Sequence, residues 1–236
     1  MQKGKKIAVY TCIYGGYDKL LAPLNVELLN QADFFCFSDK NIKSDIYKVI
    51  TTNFDFFDPV KNSRYAKINP HLFFKEYDYS IYIDANHRIV TNDLEGLISK
   101  HLKDSNIARF RHDIRDCLYQ EATMCIQNKL DEEAIILQQM ERYRADGFPE
   151  HFGLGANCFI IRRHNEKDVV DHSKLWWNEV LNGSRRDQLS FEYVRWKLNT
   201  ASTFIDERWY FSNIYYREGH VNEKSRHVKV NGTPSP

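Results

Sequence analysis

Ser80-Ile-Tyr-Ile-Asp-Ala-Asn-His-Arg-Ile89 decides how this chain folds and where its chemistry sits. Ser80 to Ile83 is β-branched and aromatic, the composition of a buried strand. The strand stops at Asp84-Ala-Asn-His87, and Asp84 and Asn86, spaced i and i+2, can both turn toward one divalent cation. Hard cations such as Mg²⁺ or Mn²⁺ take oxygen ligands and share them with substrate phosphates. In open α/β sheets, ligands gather at this end of the strands. The same residues also read as an Asp/Asn turn that simply ends a strand.

Working outward, Lys6 to Ile13 is an apolar strand ending in Tyr14-Gly-Gly-Tyr-Asp18, without the G-x-G-x-x-G spacing or the lysine of a phosphate loop. Asp33 to Ser38 and Tyr47 to Thr51 read as further strands. Asn62 to Glu76 reads as a helix with Arg64, Lys67 and His71 on one face, and Pro70 predicts a kink or early break in it. Beyond the central strand come a helix over Asp93 to Leu102 capped by Asn92, and a strand from Ile107 to Phe110. A helix from Asp131 to Tyr143 and a strand from Asn157 to Arg162 follow. Helices over Val169 to Leu181 and Gln188 to Lys197 flank the turn Gly183-Ser-Arg-Arg. Strands alternating with helices predict an α/β domain with a mixed, mostly parallel sheet. A single domain is expected over 1–218, followed by a polar, basic tail over 219–236 that carries His220 and His227.

Composition narrows the function. Thirty-three basic and thirty-two acidic residues leave a net charge of +1, which gives no case for nucleic-acid binding. Aromatics make up 14% of the chain, suited either to sugar recognition or to an ordinary core. The five cysteines are odd in number and scattered, with no C-x-x-C. They argue against a disulfide framework or a zinc site and for a reducing compartment. No run approaches a membrane span and no apolar leader follows the charged N-terminus, so a soluble, cytoplasmic protein is expected. G-x-S-x-G and H-E-x-x-H are absent, and no cysteine stands in a nucleophile motif.

Three more polar clusters interrupt apolar elements. Arg64 with Lys67 could grip a diphosphate or be a solvated helix face. His112-Asp-Ile-Arg-Asp116 with Glu121 follows a strand, where loops carry binding residues. Arg185-Arg-Asp-Gln188 enters a helix; Asp187 is either its N-cap or one of a set of groups that hold sugar hydroxyls and phosphates.

Taken in order, these clusters resemble a nucleotide-sugar glycosyltransferase of the GT-A type. The carriers are Tyr10-Thr-Cys-Ile-Tyr-Gly-Gly-Tyr17, Phe35-Cys-Phe-Ser-Asp39, Arg64-Tyr-Ala-Lys67, Tyr82-Ile-Asp-Ala-Asn86, His112-Asp-Ile-Arg-Asp-Cys117 and Ser184-Arg-Arg-Asp-Gln-Leu-Ser-Phe191. The specific likeness is to the glycosyltransferase-like family of bacterial capsule and polysaccharide loci and plant mucilage proteins, formerly a domain of unknown function. It is also similar, more faintly, to retaining galactosyl- and galacturonosyltransferases.

The resemblance implies a GT-A-like, Rossmann-like fold and transfer of a hexose from a nucleotide-sugar, UDP-linked by analogy, to a polysaccharide, lipopolysaccharide or related glycan. It implies Mn²⁺ or Mg²⁺ at Asp84 and Asn86, with His227 or His220 completing the shell. Thr11, Ile13 and Tyr14 would meet the nucleobase and ribose, Arg64 and Lys67 the ribose or diphosphate, and Asn157 the donor sugar. Asp187 and Gln188 would flank the anomeric carbon. In an inverting enzyme Asp187 would serve as base, with Asp116 or Glu121 as substitutes; in a retaining enzyme Gln188 would lie under the sugar. Asn86 stands where the family pattern has a second acid, which keeps open a binding module that has the fold without catalysis.

Overall fold

The computed structural model describes residues 6–207 and 213–218, so the expectations for His220, His227 and the tail lie outside the described residues. Its centre is a seven-stranded sheet in the order β3-β2-β1-β4-β7-β6-β8. The strands are β1 (Ile7–Ile13), β2 (Asp33–Ser38), β3 (Tyr47–Thr51), β4 (Tyr79–Ile83), β6 (Ile107–Arg111), β7 (Gly155–Arg162) and β8 (Thr203–Ile205). β1 pairs in parallel with β2 and β4, β2 with β3, and β6 with β8; β7 runs antiparallel to both β4 and β6. This is the mixed, mostly parallel sheet expected. A second sheet pairs β5 (His87–Ile89) with β9 (Tyr215–Arg217).

All seven residues of β1 are buried, because helices and loops cover both faces of the sheet. Alternation sends Tyr10, Cys12 and Tyr14 into one core cluster and Ile7, Val9 and Ile13 into the other. The helices are α1 (Pro59–Ile68), α2 (Pro70–Phe73), α3 (Leu94–His101), α4 (Leu118–Gln127), α5 (Glu133–Ala145), α6 (Lys167–Asn182) and α7 (Gln188–Leu198). Asp93, not Asn92, caps α3, its carboxylate accepting from the Gly96 N–H at 2.7 Å. The anticipated break occurs at Asn69 (φ −111°, ψ 50°), since Pro70 lacks an N–H and pushes its predecessor out of the helical region.

The end of α1 is held from the sheet. Arg162, fully buried on β7, donates to the Lys67 carbonyl at 2.7 Å and the Ile68 carbonyl at 3.3 Å; the Tyr10 hydroxyl adds a 2.6 Å bond to Lys67 O. The orphan carbonyls and negative dipole end of the helix thus face a guanidinium.

Gly155, at the start of β7, is a glycine because Arg109 of β6 lies across it. A Cβ there would sit 2.1 Å from Arg109 Nη1. Gly155→Ala should therefore destabilise the fold by about 1–3 kcal/mol through overpacking, read as a lowered urea midpoint.

Buried histidines set a second expectation. Burial brings His71 and His164 down to about 4 and His172 to about 3, with nearby arginines adding to the effect. His164 Nε2 donates to the Phe74 carbonyl at 2.8 Å, a bond that favours the charged ring, but burial outweighs it. Unfolded, these rings take a proton near pH 6.5, which the folded state refuses. Their stabilising effect is whole above that pH and is lost as the pH falls toward 4. The thermal midpoint should drop steadily from pH 7 to pH 4.5; a flat midpoint across that range would contradict the assignment.

Candidate active site

The carboxyl ends of β1, β4 and β6 and the start of antiparallel β7 share one edge of the sheet, and the entrance to α7 is tied to that edge. Gln188 Nε2 donates to the Gly155 carbonyl at 3.0 Å, and Asn157 Nδ2 approaches Asp187 Oδ2 at 3.4 Å. Asp187 occupies the N-cap position of α7, but its backbone is already helical and its side chain makes no capping bond. The carboxylate turns inward, with Oδ1 2.8 Å from Arg64 Nε and Oδ2 2.9 Å from Lys67 Nζ. The Asp187 and Lys67 side chains are 6% and 3% exposed. Burial opposes ionisation of Asp187, yet Arg64 and Lys67 outweigh it and hold the carboxyl well below the usual carboxylate range.

Lys67 Nζ also lies 3.9 Å from Asp84 Oδ1 and 4.6 Å from the centroid of the Tyr82 ring. The Tyr82 hydroxyl donates to the same Asp84 oxygen at 2.7 Å. Burial, with the Asp84 charge adding to it, pushes the Tyr82 hydroxyl up, so it stays a donor. The result is a line of alternating charge, Arg64, Asp187, Lys67, Asp84, running from the interior to a carboxylate 34% exposed.

A second buried network supports this line. Arg109 Nη1 donates to Asn157 Oδ1 at 3.0 Å, and its guanidinium is ion-paired with Glu192; both side chains are wholly buried. Glu192 also accepts from the Gly155 N–H at 3.1 Å and from Arg195 Nε at 2.7 Å. Arg109 and Glu192 were not singled out in the sequence. Their signal was a lone charge inside the apolar runs Ile107–Phe110 and Leu189–Val194.

Arg64, Lys67, Asp84, Asn157 and Asp187 therefore come together, and Gln188 joins them through Gly155. Two expectations change in content. Asp187 holds Arg64 and Lys67 at 2.8 and 2.9 Å, and Lys67 also reaches Asp84 at 3.9 Å, so neither is an unpaired cation. Asp187, with two cations on its oxygens, is a poor proton acceptor. Asn86 takes partners of its own: it is 2% exposed, Nδ2 donates to Glu218 O at 3.1 Å, and Oδ1 lies 2.8 Å from His87 Nδ1. Among the described residues no three His, Cys, Asp or Glu side chains stand close enough to hold a metal. Of the Asp84 and Asn86 pair, only Asp84 is left part-exposed at the strand end, where a hard cation could take a carboxylate oxygen together with outside ligands.

The side chains of Thr11, Ile13 and Tyr14 are buried, and the Thr11 and Tyr14 hydroxyls have no hydrogen-bond partner. Past them Gly15 and Gly16 take left-handed φ of 67° and 66°, and Gly15 N donates to Asp39 Oδ2 at 2.9 Å. Asp39, Asn53, Asp55, Phe57, Asp58 and Asn62 line a cavity of about 250 Å³ on that side. Toward β6, His112 Nδ1 accepts from the Arg115 N–H at 3.0 Å, and Arg115 Nε pairs with Glu121 Oε2 at 2.6 Å. Burial lowers the His112 ring.

The Arabidopsis thaliana protein described as a probable hexosyltransferase, MUCI70, is 26% identical over 263 aligned residues, covering 97% of this chain and 44% of that protein. The chain therefore spans less than half the length of that curated relative. Among solved structures, mouse xyloside xylosyltransferase 1 in its apo form aligns at 11% identity and TM-score 0.47, covering 90% of this chain and 97% of that one. The apo bifunctional glycosyltransferase WbbM aligns at 11% identity and TM-score 0.47, over 87% of this chain and 39% of that one. Residues 1–223 match the TOD1/MUCI70 glycosyltransferase-like domain, and the chain belongs to that family.

Proposed function

We propose that this protein transfers a hexose from a nucleotide-sugar, UDP-linked, to a glycan acceptor with the help of Mn²⁺ or Mg²⁺. The observation that carries the reading is Lys67, locked between Asp187 and Asp84 where the central strand runs out. Family membership supports glycosyl transfer, and the probable hexosyltransferase relative supports a hexose.

In this reading the nucleoside lies toward the cavity lined by Asp39, Asn53 and Asn62, and the diphosphate lies over Asp84. The sugar then points toward Asn157 and Gln188. A divalent ion on Asp84, when bound, would offset the negative charge that grows on the departing diphosphate. The protein's own groups do the rest. Tyr82 and Lys67 hold Asp84 in place, with Lys67 adding a fixed positive charge 3.9 Å from its oxygen. Asp187 holds Lys67 at 2.9 Å and lies 3.4 Å from Asn157 Nδ2 on the sugar side, where positive charge develops as the anomeric bond breaks.

Asp84→Ala tests the reading. The residue is 34% exposed but answers the buried Lys67 and Tyr82, so the fold should be retained with a thermal midpoint lowered by about 3–8 °C. Release of nucleoside diphosphate from UDP-, GDP- and CDP-sugars, assayed with Mn²⁺ and with Mg²⁺, should fall by about 100-fold or more. Full activity in this variant would end the proposal. Calorimetric binding of nucleotide-sugar with no turnover by the parent at any metal concentration would favour the binding module instead.

A further inference from the structure

The arginines around the α7 entrance are matched with acids almost one by one. Arg64 has Asp187 at 2.8 Å, Arg115 has Glu121 at 2.6 Å, and Arg195 has Glu192 at 2.7 Å. Arg109 is ion-paired with Glu192, and Arg185 reaches Asp131 at 3.4 Å and Asp58 at 3.5 Å. Arg186 differs: among the described residues it has no carboxylate partner. Its chain neighbour Asp187 is already engaged by Arg64 and Lys67, and Glu121, which lies 3.9 Å from the Cys125 thiol, by Arg115.

Its backbone is nevertheless firmly placed. Arg186 N donates to Ser184 Oγ at 3.2 Å, and its carbonyl accepts from the Leu189 N–H at 2.9 Å in the first turn of α7. The side chain is half-buried, and Nε is buried without a hydrogen-bond partner. The guanidinium lies beside the Cys125 thiol of α4; burial pushes that thiol up, and Arg186 pulls it partly back. A thiol is a weak acceptor and does not balance a positive charge. Keeping a guanidinium half-desolvated without an anion is costly, and its planar fork of donors fits phosphate oxygens in pairs.

We propose that Arg186 is the anion-binding arginine of this site and takes oxygens of the donor's diphosphate, since Arg64 and Lys67 are each already held by Asp187. The inference rests on the nucleotide-sugar reading and assigns its leaving-group contact. Arg186 adjoins Asp187 in the chain and its charge acts on that carboxyl, which ties it to the same cluster as Lys67 and Asp84.

The test is calorimetry on the full chain with UDP, GDP and CDP, with uridine as a ligand lacking phosphate and glucuronate as a carboxylate lacking phosphate. Arg186→Gln should weaken nucleoside diphosphate binding by about tenfold or more and leave uridine binding unchanged. Arg186→Lys, which keeps the charge and the stem but loses the fork, should fall between the two and guards against a variant that fails to fold. Equal diphosphate affinity in parent and both variants overturns the proposal while leaving the nucleotide-sugar reading intact. Loss of glucuronate binding with diphosphate binding unchanged also overturns it, in favour of a carboxylate ligand. If the parent binds none of the three diphosphates, the reading and the inference fall together.

Discussion

A lysine ammonium that is almost wholly shielded from water is costly to bury unless anions stand close to it. Lys67 meets this condition through Asp187 behind it and Asp84 in front, and much of the surrounding architecture serves to keep it so. The broken helix brings Lys67 to the strand edge, the turn before α7 delivers Asp187, and the end of β4 delivers Asp84. Removing any one of these would leave a buried charge unanswered. The site is therefore a property of three distant segments meeting, not of one motif.

That explains which parts were legible beforehand. The strands ending at Ile13, Ser38 and Ile83 could be read because both sheet faces are covered there and each is a mainly apolar run, while the edge strand ending at Thr51 is only partly buried and shows itself by Tyr47, Val49 and Ile50. Pro70 announced the helix break by its chemistry alone. Helix α4 was hidden: its apolar residues Leu118, Ala122 and Cys125 are spaced by mixed polar residues, and the charged stretch His112–Asp116 before it drew attention to a loop. The three-residue strands β5, β8 and β9 are too short to leave a period.

The candidate residues were legible as types, but their pairings were not. Spacing could show that Arg64 and Lys67 share a face; it could not show that Asp187 would turn away from its own helix end to meet them. Likewise Asn86 could be seen two places after Asp84, yet its amide is taken up by the strand pair β5 and β9, a contact of long sequence separation. Buried charges such as Arg109 and Glu192 answer each other across more than eighty residues. Local pattern holds no record of such matches.

The hold that Arg162 exerts on the end of α1 has a bearing on how the molecule is born. Lys67 emerges from the ribosome early, but the guanidinium that secures its carbonyl lies ninety-five residues later in the chain. Until β7 inserts beside β4, the four parallel strands have a raw edge, and α1 lacks its clasp. A nascent chain halted before that strand would own the four parallel strands and none of the finished charge line. The charge line is completed only after the strand of opposite direction has closed the gap and Asp187 has followed it.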